Sequence, residues 1–449
     1  MPQKISKNTS VESLSDQVVI DTVLNLAPER AIDGKVNNFL DPFSNLISET
    51  TSIAVAVSGG ADSMALSILL ADLAENKPRK IFALTVDHGL RENSAEEARK
   101  VANWLAPYGV EHKTLLWKGE KPVNGVQASA RSARYDLMAT WCRKNKFTIL
   151  MTAHQLEDQI ETFLMRTERG SGLDGLASMS PVVALKGVIL IRPLLRVSKA
   201  RLREFLREKE QVWIEDPSNN NLAFQRARIR QLVEKLELRG LLPAETSILI
   251  VHLAVLRQQF SSVVKLFFER AVRIMPETYG IVHLEALKYL PDPVLERVLV
   301  QIISELNGNF YPPRRQRLKL SIEHIKSIET INFTLGGCRF IFKGSTVIVC
   351  RDQRSISKKQ VVAGNNFIWD GLFQVVISGP TGVKGRIGPL GKKGWIEIVE
   401  KCPELKNIPI PHPVRLTLPA LFDDNEVVEV PSLKYRCGSS ENLALSISK

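Results

Sequence analysis

Six consecutive residues, Ser58-Gly59-Gly60-Ala61-Asp62-Ser63, bring two hydroxyls, two glycines and a carboxylate into a run short enough to wrap a phosphate. They directly follow the apolar run Ile53 to Val57 and open a helical pattern that continues to Glu75. A strand, a Gly-Gly turn and a helix in that order put backbone amides and the positive end of a helix dipole at the turn, which suits a phosphate anion. Gly59 and Gly60 let the backbone approach a ligand closely, Ala61 adds an amide, Ser58 and Ser63 can donate to phosphate oxygens, and Asp62 can hold magnesium or a magnesium-bound water. The run lacks a Gly-Lys-Ser/Thr ending, so transfer of a γ-phosphate is not implied. A tight turn capped by Asp62 is the plainer alternative.

Further groups with chemical potential fall at the ends of later apolar runs. Asp87-His88 follows Ile81 to Val86, and Thr152-Ala153-His154 ends Thr148 to Ala153. Carboxyl ends of parallel strands are where ligands sit in open α/β sheets, although Asp87 could equally cap the turn before the next helix. His154, Asp158 and Glu161 stand at i, i+4 and i+7, which predicts one helical face suited to magnesium or an ammonium group, or else a solvated charged face. Arg131 and Arg134 lie in a helical pattern from Gln127 to Lys146. Arg226, Arg228 and Arg230 follow the turn Asp216-Pro217-Ser218-Asn219-Asn220, and only Arg226 and Arg230 share a face.

The elements that must position these groups alternate. Strands at Ile53 to Val57, Ile81 to Val86, Thr148 to Ala153 and Val188 to Leu195 are separated by helical patterns at Ser63 to Glu75, Ser94 to Tyr108, Gln127 to Lys146 and Leu156 to Arg169. Apolar runs of this kind suit a sheet buried on both faces, so a doubly wound, mainly parallel α/β domain is expected over residues 49–235. Lys199 to Lys209 reads as a charged amphipathic helix. Residues 1–48 read as an N-terminal extension with a helical pattern at Val18 to Leu26. Residues 236–355 carry long 3.6-period segments, predicting a mainly helical domain with a late hairpin at Arg339 to Cys350. Short β-like runs between Gly and Pro turns predict a small mixed or mainly β domain over residues 356–449.

The hexapeptide resembles the SGGxDS loop of the N-type ATP pyrophosphatase superfamily, the adenine nucleotide alpha hydrolase-like enzymes that split ATP between its α and β phosphates. Taken with Asp87-His88-Gly89-Leu90-Arg91, Gln127 to Tyr135, His154 to Thr162 and Arg169 to Leu176, the sequence resembles the tRNA(Ile)-lysidine synthetase family in order and spacing. Arg192-Pro193-Leu194-Leu195 and Glu215 to Asn220 extend the likeness, which is densest from Ile53 to Arg230. The resemblance implies an ATP-dependent, magnesium-dependent ligase. It would adenylate the wobble cytidine of an isoleucine tRNA with a CAU anticodon and then attach L-lysine.

In that mechanism Ser58 to Ser63, Asp87 and His88 would bind ATP, Asp62 would hold magnesium, and Arg131 or Arg134 would stabilise the charge at phosphorus. Asp158 and Glu161 would receive the lysine ammonium groups, and His154 would help deprotonate the nucleophile. Arg134, Arg169, Arg226 and Arg230 would meet lysine or tRNA. Phosphate positioning and surface ion pairing stay open for the arginines.

Composition is consistent with this expectation. Sixty Lys and Arg against 48 Asp and Glu give a net charge of +12, which favours a polyanionic partner. Basic clusters at Arg314, Arg315, Arg317 and Lys319 and at Lys384, Arg386, Lys392 and Lys393 are candidate phosphate contacts, and Trp395 is either packing or a stacking platform. Five scattered cysteines, none in Cys-x-x-Cys spacing, argue for reduced structural thiols and against sulfur transfer. The polar N-terminus and the lack of any run of eighteen apolar residues place the chain in the cytoplasm, away from membranes. A homodimer stays open. Two rival readings are a small-molecule synthetase of the same superfamily, with tRNA-independent turnover, and a nucleotide-sensing RNA-binding protein without turnover.

Overall fold

The protein was analysed as a computed structural model that describes residues 39–89, 94–118, 126–215, 225–237, 244–308, 312–327, 331–437 and 443–448. The helical pattern at Val18 to Leu26, Leu90 and Arg91, Asp216 to Asn220, and Tyr311 lie outside the described residues. Contacts divide the chain into two units, Met1–Gln259 and Phe260–Lys449.

In the first unit β1 (Ile53–Ala56), α1 (Ala61–Ala74), β2 (Ile81–Asp87), α2 (Ser94–Leu105), β3 (Glu111–Leu116), α3 (Val126–Lys144), β4 (Ile149–Met151) and α4 (Leu156–Glu168) alternate. Then come α5 (Leu173–Leu176), β5 (Val182–Leu185), β6 (Val188–Ile191), α6 (Lys199–Glu208), α7 (Gln225–Glu237) and α8 (Ala244–Ala271), whose last twelve residues belong to the second unit. The six strands order as β3-β2-β1-β4-β6-β5. All neighbours are parallel except the β5–β6 hairpin. Its turn is made by Lys186 and Gly187, both at positive φ (47° and 81°), the backbone a tight hairpin turn demands.

Ile53, Ala54 and Val55 are fully buried, as a central strand covered on both faces requires. α1 is apolar nearly all round, with Met64, Leu66, Ile68 and Leu70 at zero exposure, so it is a core helix rather than a surface one. The order in which successive strands are laid down reverses between β1 and β4, which opens a crevice at their carboxyl ends.

β3 and β5 have no counterpart among the strands expected from sequence. Both are edge strands: β3 is of mixed polarity, and β5, though apolar, is only four residues long with Val183 and Ala184 exposed. Part of the expected N-terminal extension belongs to the same core, because Phe39, Phe43 and Ile47 pack against it.

In the second unit the helices expected over residues 236–355 are accompanied by more strand than the late hairpin expected from sequence. α9 (Leu284–Lys288), α10 (Asp292–Leu306) and α11 (Arg315–Lys326) pack with a five-stranded antiparallel sheet ordered β7-β8-β11-β10-β9, where β7 is Val272–Met275, β8 Tyr279–His283, β9 Phe333–Leu335, β10 Cys338–Lys343 and β11 Thr346–Arg351. The helical period of Ser261 to Met275 runs unbroken by Gly or Pro into β7. The helix gives way to β7 after Ala271, and β7 turns back into β8 through Thr278, whose φ is 57° and whose N–H donates to Met275 O at 3.0 Å.

The remaining strands are β12 (Lys359–Val362), β13 (Asn366–Trp369), β14 (Phe373–Ser378), β15 (Lys384–Pro389), β16 (Pro419–Asp423), β17 (Glu426–Val430), β18 (Tyr435–Arg436) and β19 (Ala444–Ser448). They form two antiparallel sheets, β12-β15-β16-β17-β18 and β13-β14-β19. Two helices, α12 (Gly391–Lys401) and α13 (His412–Arg415), accompany them. Trp395 is packed in this core, with the Arg415 guanidinium 4.8 Å from its ring, so it acts in packing.

Among the described residues one helix, Glu245–Ala271, is long and apolar enough to cross a membrane by length and composition. It carries Arg257 and Lys265 along its length. Its Ile250 belongs to a cluster with Ile160 and Val233, and its Val264 to the main core of the second unit.

Candidate active site

A cavity of about 750 Å³ opens over the carboxyl ends of β1, β2 and β4. It is lined by Ser58, Gly60, Ala61, Asp62 and Ser63 from the loop after β1, Asp87 and His88 after β2, Arg131 and Arg134 from α3, His154 and Asp158 after β4, Lys199 and Arg203 from α6, and Arg230 from α7. A topological switch point in a parallel sheet is where such a cavity belongs. Its volume suits a nucleotide-sized ligand.

The loop is built by its own residues. Gly59 has φ 84°, and a Cβ there would lie 2.7 Å from Ile214 Cδ1 and 2.9 Å from Val101 Cγ2, so only glycine fits. Its carbonyl accepts from Ile214 N–H at 2.9 Å. Ser63 is buried and donates to Gly60 O at 3.0 Å while accepting the Ser58 N–H at 3.2 Å. Its hydroxyl hydrogen is therefore engaged in bracing the turn, and exposed Ser58 is the better placed hydroxyl for a ligand. Gly60 is the N-cap of α1, and a Cβ on it would meet nothing closer than 3.6 Å. No neighbouring protein atom forbids a side chain there, so its bareness serves access to the loop amides.

Asp62 lies in the first turn of α1. Burial, then the nearby Asp158 carboxylate, push its pKa up to about 6, against the opposing charges of Lys199, Arg203 and Arg230. Its Oδ1 is buried with no hydrogen-bond partner among the described residues. Two carboxylates close together with one orphaned oxygen invite a cation. Among the described residues no cluster of three metal-ligating side chains exists, but magnesium at phosphate sites needs only one or two carboxylates, the rest coming from phosphates and water.

Asp87 accepts the Gly89 N–H at 2.7 Å, so its carboxylate shapes the turn while it also faces the cavity. Arg134 Nη2 lies 3.2 Å and Nε 3.4 Å from His88 Nε2. A guanidinium only donates, so Nε2 of His88 is the acceptor and its ring proton sits on Nδ1. Arg131 rests over the Tyr135 ring at 5.2 Å.

The expected single face of His154, Asp158 and Glu161 does not form. α4 starts at Leu156 with Gln155 as N-cap, and Asp158 completes a capping box by accepting the Gln155 N–H at 3.2 Å. His154 therefore precedes the helix, with Nδ1 2.9 Å from Thr152 Oγ1. Glu161 points elsewhere: at 1% exposure it accepts Arg230 Nε at 2.7 Å and does not line the cavity. Glu161 thus pairs with Arg230, which itself lines the cavity. Arg169 is exposed at the end of α4 and also lies off the cavity. The Arg226 side chain falls outside the described set.

Sequence reasoning missed Lys199 and Arg203, which it placed on a charged surface helix. It also missed Trp213 and Glu215, whose Oε1 accepts Trp213 Nε1 at 2.9 Å and sits 3.4 Å from Arg203 Nη2.

A parallel sheet with an SGGxDS turn at its switch point, facing an acid pair and a ring of cations, defines an ATP-utilising PP-loop enzyme, and residues 28–237 match the family of the PP-loop domain. The match runs on beyond that domain. The chain is 34% identical over 381 residues to the tRNA(Ile)-lysidine synthase of Ruegeria pomeroyi, covering 84% of this chain and 88% of the relative. It is 32% identical over 403 residues to that of Wolbachia pipientis wMel, covering 88% and 92%. The chain belongs to the tRNA(Ile)-lysidine synthase family.

Proposed function

We propose that the enzyme joins L-lysine to carbon 2 of the wobble cytidine of an isoleucine tRNA bearing a CAU anticodon, using ATP and magnesium in the cytoplasm. The observation that carries this reading is the convergence of the SGGxDS loop, the acid pair Asp62 and Asp158, and Arg131 on one cavity, in a chain related over most of its length to enzymes of that name.

The loop amides, Ser58 and the start of α1 hold the phosphates of ATP, and Asp62, whose Oδ1 is buried without a partner among the described residues, would hold magnesium. Magnesium supplies charge neutralisation on the phosphates. Cytidine O2 attacks the α-phosphorus, the bond to the β-phosphate oxygen breaks, and pyrophosphate departs with the electron pair. Arg131 stabilises the charge on the equatorial oxygens. The lysine ε-amine then forms the C2–N bond and AMP leaves with the original oxygen. Asp158 orients the lysine ammonium, and His154 takes a proton from the attacking nitrogen.

Purified protein is tested for pyrophosphate release with lysine and either the CAU isoleucine tRNA or the methionine tRNA with the same anticodon. Release restricted to the isoleucine tRNA, with labelled lysine entering RNA, is the expected result. Release that ignores tRNA would move the reading to a small-molecule synthetase.

A further inference from the structure

α6 enters the cavity with its first residues. Ser198 caps it by accepting the Arg201 N–H at 3.3 Å, and the Lys199 N–H donates to both oxygens of Glu157 at 3.1 and 3.0 Å. Leu202, Phe205 and Leu206 are buried on its inner side and belong to the core cluster that also holds the apolar residues of α1. The helix is therefore fixed relative to the SGGxDS turn at its start and along its side. Lys199 and Arg203 stand four residues apart, on one face, and both line the cavity.

Their surroundings are those of an anion site. Lys199 gives Glu157 its backbone, leaving the ammonium group out of that bond. Arg203 meets Glu215 through one terminal nitrogen at 3.4 Å, too long for a strong charge-assisted bond, and its Nε is buried with no hydrogen-bond partner among the described residues. A guanidinium carries five donors, so most of the fork stays available to a second oxyanion.

We propose that Lys199 and Arg203 are the cation pair that receives the β and γ phosphates of ATP and stabilises pyrophosphate as it leaves. The assignment rests on the ATP reading above and adds residues to it. When the bond between the α-phosphorus and its bridging oxygen breaks, the electron pair and a negative charge pass to pyrophosphate. Two fixed cations on α6, lining the same cavity as the loop, favour that transfer. The cavity then has a division of labour: α3 cations serve the α-phosphorus and α6 cations the leaving group.

The test measures binding of magnesium pyrophosphate to full-length enzyme by titration calorimetry, which needs no turnover and so is independent of the tRNA assignment. Lys199→Met and Arg203→Met are each expected to weaken that binding about tenfold or more, with Arg203→Lys restoring part of it and melting temperatures unchanged. In turnover, KM for ATP rises and KM for lysine stays constant. Unchanged pyrophosphate binding in both Met variants overturns the proposal. So does a rise in KM for lysine at constant pyrophosphate affinity, which would place a lysine carboxylate on these cations. Failure of the wild-type enzyme to use the isoleucine tRNA, with pyrophosphate binding still lost in the variants, would overturn the function and keep the site.

Discussion

Arg230 Nε donates to Glu161 Oε1 at 2.7 Å, and this contact fastens α7 to α4 beneath the cavity that Arg230 lines. Glu161 is almost wholly buried, whereas the Arg230 side chain is 26% exposed, so the carboxylate depends on its partner more than the reverse. Glu161 sets where the Arg230 charge sits, and that charge in turn opposes the rise in the Asp62 pKa.

Arg230→Met should therefore destabilise the protein more than Glu161→Gln, because it takes a charge-assisted bond from a carboxylate that stays buried and ionised. Breaking a fully buried pair costs about 3–5 kcal/mol, and the partial exposure of Arg230 reduces this to roughly 1–3 kcal/mol. Chemical denaturation of the two single variants and the double variant measures the coupling. Purely additive effects would show that the pair is incidental.

The two loop glycines should separate in their effects. Gly59→Ala forces a left-handed residue, at about 1–2 kcal/mol, and drives its Cβ into Ile214 and Val101. It should lower the melting temperature and raise KM for ATP together. Gly60→Ala meets no protein atom within 3.6 Å and should leave melting unchanged while raising KM for ATP. Equal loss of stability in both variants would mean that Gly60 serves the fold and not the ligand.

That the loop was legible in the sequence and α6 was not has a physical cause. Ser58 to Ser63 is a contiguous motif whose parts act within one turn, so its neighbours in sequence are its neighbours in space. Lys199 and Arg203 border the buried stripe of Leu202, Phe205 and Leu206, three residues from Leu202 and Leu206 respectively, as charges at the edge of many amphipathic helices do, and only the packing of α6 decides that this edge meets a cavity. Glu161 misled for a related reason. Period alone put it with His154 and Asp158, but Gln155 starts the helix one residue after His154, and α7, from distant sequence, claims the Glu161 face. Central strands such as β1 and β4 were legible as apolar runs. The edge strand β3, with Glu111, His112 and Lys113, was not.

The cysteines should prove dispensable. Burial pushes the Cys142 and Cys338 thiols up to about 12 and Cys350 to about 11, which leaves almost no thiolate at neutral pH. Cys402 and Cys437 are only half-buried and should be the residues that iodoacetamide alkylates in the native protein. Full alkylation of those two with tRNA-dependent pyrophosphate release intact is expected. Loss of activity on that treatment would revive a thiol-based reaction.

Asp62 should oppose stability in proportion to its role. Its pKa rises from 3.8 to about 6 on folding, through burial first and the Asp158 charge second. Between roughly pH 4 and pH 6 the folded state thus holds a proton that the unfolded state has released, so stability falls as pH rises across that window. A shift of about two units corresponds to on the order of 3 kcal/mol lost above pH 6. Asp62→Asn removes the titrating group, so the variant should melt at higher temperature than the wild type at pH 7 and match it near pH 4. Magnesium with pyrophosphate should raise the wild-type melting temperature at pH 7, have little effect at pH 5 where Asp62 is protonated, and leave the variant unmoved at both. The same variant should lose pyrophosphate release by at least about a hundredfold, the scale set by losing a pre-placed charge in an active site. Parallel melting curves for the two proteins from pH 4 to pH 7 would mean that Asp62 is solvated and unstrained, and the assignment of a cation to its orphaned oxygen would fall with it.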